Sequence, residues 1–153
     1  MKRVKEIRGR GLRLASRAGR ITLLLLGFAA ANAGSAAAQG LNVELNQAVD
    51  RGGNCQASFL IRNDLGETLD RFGLELYLFD ADGVVASRFL VDLAPLPNAR
   101  TTPVSFPLGR SCSQISRVLI AGAAACRAEA SGAQLDCMAG MKVVSRAQLQ
   151  LEK

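Results

Sequence analysis

The chain has 153 residues, contains no histidine or tryptophan, and carries a formal net charge of +6. Eight of the nineteen basic residues but only one of the thirteen acidic residues lie within the first twenty positions, which leaves eleven bases against twelve acids in the remainder. This near-neutral remainder excludes a basic surface of the kind that binds nucleic acid. The lack of histidine excludes the usual hydrolytic triads and the usual mixed zinc sites.

The N-terminal region has the order of a secretory signal. A basic stretch precedes the apolar run Ile21–Ala31, and small residues follow up to Ala38. This order predicts a signal peptide over residues 1–38 that is cleaved after Ala38, so that the mature protein is periplasmic or secreted. The apolar run is too short to span a bilayer unless it includes Asn32–Ala38. An uncleaved anchor is therefore the less favoured alternative, and the mature form is expected to have no stable membrane span.

The remainder, residues 39–153, has the length of one domain. It contains four cysteines, an even number that in an exported chain favours two disulfide bonds over free thiols or a metal site. Three connectivities are possible. Cys126 and Cys137 flank a short segment with the composition of a loop, so we pair these two, which leaves Cys55 to pair with Cys112.

Alternating residues predict two strands at the start of this domain. Apolar and polar residues alternate over Leu41–Asn46, and the run ends in a turn at Asp50–Gly53. The same alternation over Cys55–Arg62 predicts a second strand, which ends in a turn at Asn63–Gly66.

The segment Arg71–Leu93 predicts a β-hairpin, because apolar residues fall at every second position on either side of an Asp-Gly turn. A loop of two residues (Asp82 and Gly83) or of four residues (Asp80–Gly83) directs one apolar face to the core. A three-residue loop turns every side chain over and is disfavoured. The opposite face of the first strand is mixed and is expected to be half covered (Gly73, Glu75, Tyr77 and Phe79). The expected cross-strand pairs are Phe72 with Leu93, Leu74 with Val91 and Leu76 with Phe89.

Extended structure resumes after the hairpin. Pro95 and Pro97 interrupt the chain, and alternation returns over Arg100–Leu108. Because Pro103 and Pro107 cannot donate hydrogen bonds to a neighbouring strand, this strand is expected at a sheet edge.

Two further strands complete the prediction. One is short, Ile115–Ala121, and the last covers Met141–Leu151, where the apolar residues stay in phase. A turn of helix over Ala121–Ala130 rests on alanine propensity alone, and Gly122 weakens it. About seven short strands with turns at near-regular spacing predict an all-β fold, a single antiparallel β-sandwich.

The run Asn63–Thr101 resembles a known family. Its Asn-x-x-Gly turn, its core at Leu76–Asp80 and its Asp-Gly turn ahead of Leu-Pro resemble the FxLYD-type immunoglobulin-like domains of bacterial exported proteins. The whole mature chain is also similar to small exported proteins of Gram-negative bacteria. The resemblance covers about a third of the mature chain. It implies an immunoglobulin-like β-sandwich in the cell envelope and brings no catalytic residues.

No catalytic, cofactor-binding or metal site is predicted. Asp80–Gly83 has the spacing of a calcium loop, but a hairpin turn is the favoured interpretation. Cys137, Met138 and Met141 offer sulfur ligands for copper, but the cysteine is assigned to a disulfide bond and Met141 to the core. The carboxylates available for acid–base work lie in predicted turns or at strand ends, where solvated acids are ordinary (Asp80, Asp82, Asp92, Glu67 and Asp70).

These features favour a non-catalytic protein-interaction or structural module of the cell envelope. Its protein partner is expected to dock on a sheet edge or on loops such as Leu93–Thr101. The alternative is a small-ligand carrier or an enzyme inhibitor in the periplasm, with a pocket between the sheets or a loop inserted into a target. A concave pocket distinguishes the two. Neither a cofactor nor a nucleic acid partner is expected.

Overall fold

A computed structural model describes residues 39–153, and the predicted signal peptide, residues 1–38, lies outside the described residues. The described domain consists of eight strands and one 3₁₀ turn at Cys112–Gln114. The strands are β1 (Leu41–Arg51), β2 (Asn54–Asn63), β3 (Leu69–Phe79), β4 (Val85–Asp92), β5 (Thr101–Pro107), β6 (Arg117–Ala128), β7 (Lys142–Ser145) and β8 (Gln150–Glu152).

The strands form two open sheets of four strands each. Sheet A has the order β5-β2-β1-β7, and sheet B has the order β4-β3-β6-β8. Apolar side chains from both sheets pack into one buried cluster, which includes Val43 and Phe59 of sheet A and Leu76 and Ile120 of sheet B. The two sheets therefore enclose one core, as in a sandwich. The prediction of an all-β fold is confirmed.

Sheet A begins with the two strands predicted at the start of the domain, β1 and β2, which pair as an antiparallel hairpin. A turn with positive φ angles at Gly52 and Gly53 joins the two strands, a backbone conformation that glycine adopts without steric cost. Strand β5 pairs with β2 and is the outermost strand of its sheet. The edge position predicted from Pro103 and Pro107 is confirmed.

The central hairpin, β3 with β4, has the predicted register. Because this register puts the apolar side of β3 against the core, Leu74 and Leu76 are each only 1% exposed. The three expected pairs are present: Leu74 with Val91, Leu76 with Phe89, and Phe72 with Leu93, the last joined by a 2.7 Å hydrogen bond from the Leu93 N–H to the Phe72 carbonyl.

The predicted length of the hairpin loop is wrong. Phe79 pairs with Val85, and the tip is a three-residue turn, Ala81–Gly83, in which Gly83 has a positive φ of 76°. One extra residue in β4, Ala86, forms a bulge next to this pair. The bulge compensates for the odd loop, so the even register is restored along the rest of the hairpin.

Strand β6 is longer than predicted. It continues through Ala128 rather than ending at Ala121, so the segment considered for a turn of helix is extended. Its partner β3 pairs with it along this length, and this tertiary pairing overrides the high helix propensity of alanine. Three register irregularities interrupt the β3–β6 pairing. Each one breaks the alternation by which a long strand is recognised in a sequence.

The prediction of one last strand over Met141–Leu151 is wrong, because this segment forms two short strands in different sheets. Strand β7 pairs in parallel with β1, and β8 pairs in parallel with β6. The sheets are therefore mixed rather than purely antiparallel, and the strand count is eight. The apolar residues of the two strands still alternate as predicted, because both sheets face the same core. Met141, Leu149 and Leu151 are buried there.

Two disulfide bonds join the predicted cysteine pairs, so the predicted connectivity is confirmed. Cys55 of β2 is bonded to Cys112 in the 3₁₀ turn, across a separation of 57 residues. Cys126 of β6 is bonded to Cys137, across a separation of 11 residues. Each bond therefore fastens a loop to a strand of the core.

Candidate interaction surface

The aspartates of the hairpin region hold turns. The Asp80 carboxylate accepts hydrogen bonds from the N–H groups of Asp82 (3.0 Å) and Val84 (2.9 Å), which fixes the three-residue tip of the hairpin. Asp92 accepts a hydrogen bond from the N–H of Ala94 at 3.2 Å, where the chain leaves β4. These oxygens are engaged with the backbone, as expected for structural acids.

The two acids at the start of β3 are engaged with neighbouring segments. Arg127 of β6 donates two hydrogen bonds to the Asp70 carboxylate and lowers the pKa of Asp70 below its ordinary value. Glu67 accepts a hydrogen bond from the Ser131 hydroxyl at 3.2 Å. Asp70 therefore lacks the raised pKa that suits a general acid near neutral pH.

The sulfur atoms considered as copper ligands have structural roles. Cys137 is in a disulfide bond, Met141 is buried in the core, and Met138 packs against that core. Across residues 39–153, no three His, Cys, Asp or Glu side chains are grouped so that they could hold a metal ion.

The loop Leu93–Thr101 is anchored by Asn63, a polar residue that the fold buries completely. The Asn63 amide donates hydrogen bonds to the carbonyls of Leu96 (2.9 Å) and Glu67 (2.8 Å). Its side-chain oxygen accepts a hydrogen bond from the N–H of Leu65 at 3.0 Å. Two loops are thereby fixed to the end of β2, and the loop considered for docking is tied to the core.

A shallow groove of about 460 Å³ crosses the outer face of sheet A. Leu60 of β2 and Val144 of β7 both lie opposite Glu44 of β1, so the three side chains share one row on this face. Leu60 and Val144 give the groove its apolar surface, and Val144 is 51% exposed. We call the outward-facing lining residues the sheet A groove: Asn42, Glu44, Leu60, Arg62, Thr101, Lys142 and Val144.

The charged groups of the sheet A groove are paired except at one position. Asn46 and Arg146 donate hydrogen bonds to the Glu44 carboxylate and lower the pKa of Glu44 below its ordinary value. Lys142 makes no salt bridge to any residue of the described domain. The ion pairs at the groove are Glu44 with Arg146 (2.9 Å) and Arg62 with Asp64 (2.8 Å). Lys142 therefore offers a cation beside an apolar depression.

The outer face of sheet B is covered by arginine side chains. The Arg88 guanidinium lies 5.9 Å from the centre of the Tyr77 ring, and the Arg117 guanidinium lies 4.1 Å from the centre of the Phe79 ring. Arg88 also donates a hydrogen bond to Glu75, which lowers the pKa of Glu75. The prediction that this face of β3 is half covered is confirmed, because Glu75, Tyr77 and Phe79 are all partly buried.

The sheet A groove could not be predicted from the sequence pattern. It needs β7 beside β1, and a parallel pairing between distant segments leaves no local signal. One feature of the sequence could have indicated an apolar surface on this face. Leu60 and Val144 are apolar residues on the outward phase of their strands, where a polar residue is the rule.

Residues 39–153 contain no helix that is long and apolar enough to cross a membrane. No family model, no curated protein and no solved structure matches this chain. Its function must therefore be inferred from the geometry and chemistry of its own surface.

Proposed function

We propose that this chain is a non-catalytic protein-interaction module of the bacterial cell envelope and that its partner docks on the sheet A groove. One observation carries the proposal: an open apolar depression lies on a sheet face beside Lys142, a cation without a salt-bridge partner in the described domain. Apolar surface beside a few polar groups is the chemistry of a protein contact. A fitting partner presents an apolar side chain to Leu60 and Val144 and a carboxylate to Lys142.

A role without catalysis is supported by what the acidic side chains do. Asp80 and Asp92 hold turns, and Asp70 is paired with Arg127. The chain also has no histidine to serve as a base. A carrier with an internal pocket is less well supported, because side chains from both sheets fill the space between them.

We further propose that the domain is immunoglobulin-like, of the type that resembles FxLYD domains, and that residues 1–38 are a cleaved export signal. Two disulfide bonds suit an oxidising compartment such as the periplasm. The Gly40 carbonyl accepts a hydrogen bond from the Asp64 N–H at 3.0 Å. The residues that follow the predicted cleavage site at Ala38 are therefore part of the folded domain.

Site-specific photo-crosslinking in cells that produce the protein tests the docking surface. A photoreactive amino acid replaces Val144 in one variant and Val84 in a control. Val84 is 61% exposed but lies next to the hairpin tip, outside the groove. We expect one adduct of discrete mass with an envelope protein from position 144 and none from position 84. Adding Lys142→Glu should abolish that adduct without changing the melting temperature.

Two results would contradict the docking surface. Equal adducts from both positions would mean non-specific contact, and no adduct from position 144 would mean that the groove has no protein partner. A small molecule that co-purifies with the protein in native mass spectrometry, without any adduct, would favour the carrier or inhibitor instead.

A further inference from the structure

Strand β4 is an edge of sheet B, and the fold leaves its residues 88–92 open to a further strand. It is the outermost strand and pairs with β3 alone. One edge strand of the other sheet, β5, carries Pro103 and Pro107, which block pairing with a further strand. Strand β4 contains no proline. Three of the four exposed large apolar residues of the described domain lie on β4 or beside it: Val84 (61%), Val85 (50%) and Leu90 (61%).

The register shows which backbone groups of β4 face away from the sheet. The Leu93 N–H donates to the carbonyl of Phe72, directly opposite, so this pair is a hydrogen-bonded one. Hydrogen-bonded and non-hydrogen-bonded pairs alternate in an antiparallel ladder. The odd-numbered residues 87–93 therefore bond to β3, and the even-numbered residues direct their N–H and C=O groups outward. The outward residues are Arg88, Leu90 and Asp92, and the structure gives their backbone groups no partner within residues 39–153.

The free part of this edge is closed at both ends. At the N-terminal end, the Arg110 guanidinium lies 3.5 Å from the Ala86 carbonyl oxygen and occupies the space beside it. At the C-terminal end, the chain leaves the sheet after Asp92. The open stretch is therefore centred on Leu90.

We propose that two copies of this chain pair antiparallel along β4, with a two-fold axis at Leu90. Outward-facing residues must pair with outward-facing residues, which sets Leu90 opposite Leu90 of the second copy and Arg88 opposite Asp92 of the second copy. About six hydrogen bonds then join the strands. The two four-stranded sheets become one continuous sheet, and the exposed Leu90 side chains cover each other. This surface is separate from the sheet A groove, so the dimer does not depend on the proposed function.

The opposite charges of Arg88 and Asp92 favour a second copy of this chain as the partner strand and determine its register. An isologous contact repeats each pair about the axis, so the Leu90 register pairs both Arg88 residues with opposite charges. A register centred on residue 88 sets Arg88 against itself, and one centred on residue 92 sets Asp92 against itself. Like charges directly opposite each other are destabilising. A register centred on residue 89 requires the Ala86 carbonyl, which already faces Arg110. A register centred on residue 91 requires the Ala94 N–H, which already donates to the Asp92 carboxylate.

Cysteine cross-linking tests the register in protein purified with its disulfide bonds intact. All four native cysteines are in disulfide bonds, so each substitution adds the one free thiol. Under mild oxidation, Leu90→Cys should give a covalent dimer, because directly opposite residues lie within disulfide reach. Arg88→Cys and Asp92→Cys should each fail alone and should cross-link when mixed. Val84→Cys, next to the hairpin tip, is the control for random collision.

Sedimentation equilibrium tests the charge pairs in a Glu75→Gln background, since Glu75 pairs with Arg88 within each copy. Asp92→Arg should weaken the dimer about tenfold, because two favourable pairs become repulsive. Arg88→Asp combined with Asp92→Arg should restore it. The proposal is overturned by a monomer at all concentrations, by efficient cross-linking of Arg88→Cys alone, or by cross-linking of Val84→Cys as fast as Leu90→Cys. A charge swap that fails to restore the dimer would overturn the register.

Discussion

Gly40 and Gly140 bring the first residues of the domain against the loop that precedes β7. A Cβ atom added at Gly40 would lie 2.6 Å from the carbonyl oxygen of Gly140. That oxygen belongs to the backbone, so it cannot rotate away as the end of a long side chain can. Gly140 itself has a positive φ of 68°, which glycine adopts without steric cost. The close approach therefore requires glycine at position 40.

Gly40→Ala is expected to lower the free energy of unfolding by roughly 1–3 kcal/mol, the usual cost of forcing an extra carbon into a packed site. Gly122→Ala is the matched control, because apart from Gly122 and its two chain neighbours no residue has an atom within 4 Å of the added Cβ. The control should change stability by less than about 0.5 kcal/mol. Urea denaturation of both variants measures the difference, and equal losses would show that the contact does not constrain the fold.

At the scale of elements, the β3–β4 hairpin shows what alternation alone can predict. Leu76 is buried opposite Phe89, while Glu75 faces outward beside Arg88. This assignment follows from the alternation of apolar residues along both strands. Because a shift of one residue would turn the apolar face away from the core, the alternation determines the register. The length of the hairpin loop could not be predicted in this way, because the bulge at Ala86 depends on a local backbone conformation that alternation does not indicate.

Leu76→Ala should lower the free energy of unfolding by roughly 2–5 kcal/mol, since the lost transfer energy and the cavity add. Glu75→Ala should cost no more than about 0.5 kcal/mol, because its pairing with Arg88 is a surface ion pair. Chemical denaturation with the disulfide bonds intact compares the two. Similar losses would mean that β3 does not bury one face.

Three ion pairs make stability depend on pH. Hydrogen bonds from Asn46 and Arg146, from Arg127, and from Arg88 lower the pKa values of Glu44, Asp70 and Glu75 respectively. A carboxyl whose pKa is lower in the folded state stabilises the fold above its unfolded pKa, about 4. That contribution is lost as the pH falls through the folded pKa.

The urea midpoint should therefore be constant from neutral pH to about pH 5 and should fall below about pH 4. A variant with Glu44→Gln, Asp70→Asn and Glu75→Gln should show a smaller fall, since these exposed pairs contribute modestly. Midpoints measured from pH 7 to pH 3 make the comparison. An identical acid-induced loss in both proteins would show that other groups cause it.

The later elements were harder to predict because distant pairings decide them. Strand β6 is rich in alanine, whose propensity favours helix, and only pairing with β3 makes it a strand. Strands β7 and β8 pair in parallel with strands that are distant in the sequence. The alternation of apolar residues therefore did not indicate the break between them. The sheet A groove depends on the same pairing of β7 with β1. The buried positions in this segment could still be predicted from the alternation of apolar residues, because both sheets share one core.

For the whole molecule, the two disulfide bonds restrict the unfolded chain to different extents. Replacing Cys55 and Cys112 by serine opens a loop closed across 57 residues and should cost about 4 kcal/mol. Replacing Cys126 and Cys137 by serine opens one closed across 11 residues and should cost about 3 kcal/mol. Thermal and urea unfolding rank the two double variants. The reverse order would show that native-state packing, not chain entropy, dominates the effect.

The proposed function requires an exported domain that folds with both disulfide bonds. Its most direct test is the intact mass of the protein recovered from the periplasmic fraction of cells that express the full chain. The predicted mass is that of residues 39–153 less four hydrogens, with two disulfide bonds formed and Gln39 at the N-terminus. A cytoplasmic protein that retains Met1 and has four free thiols would contradict it.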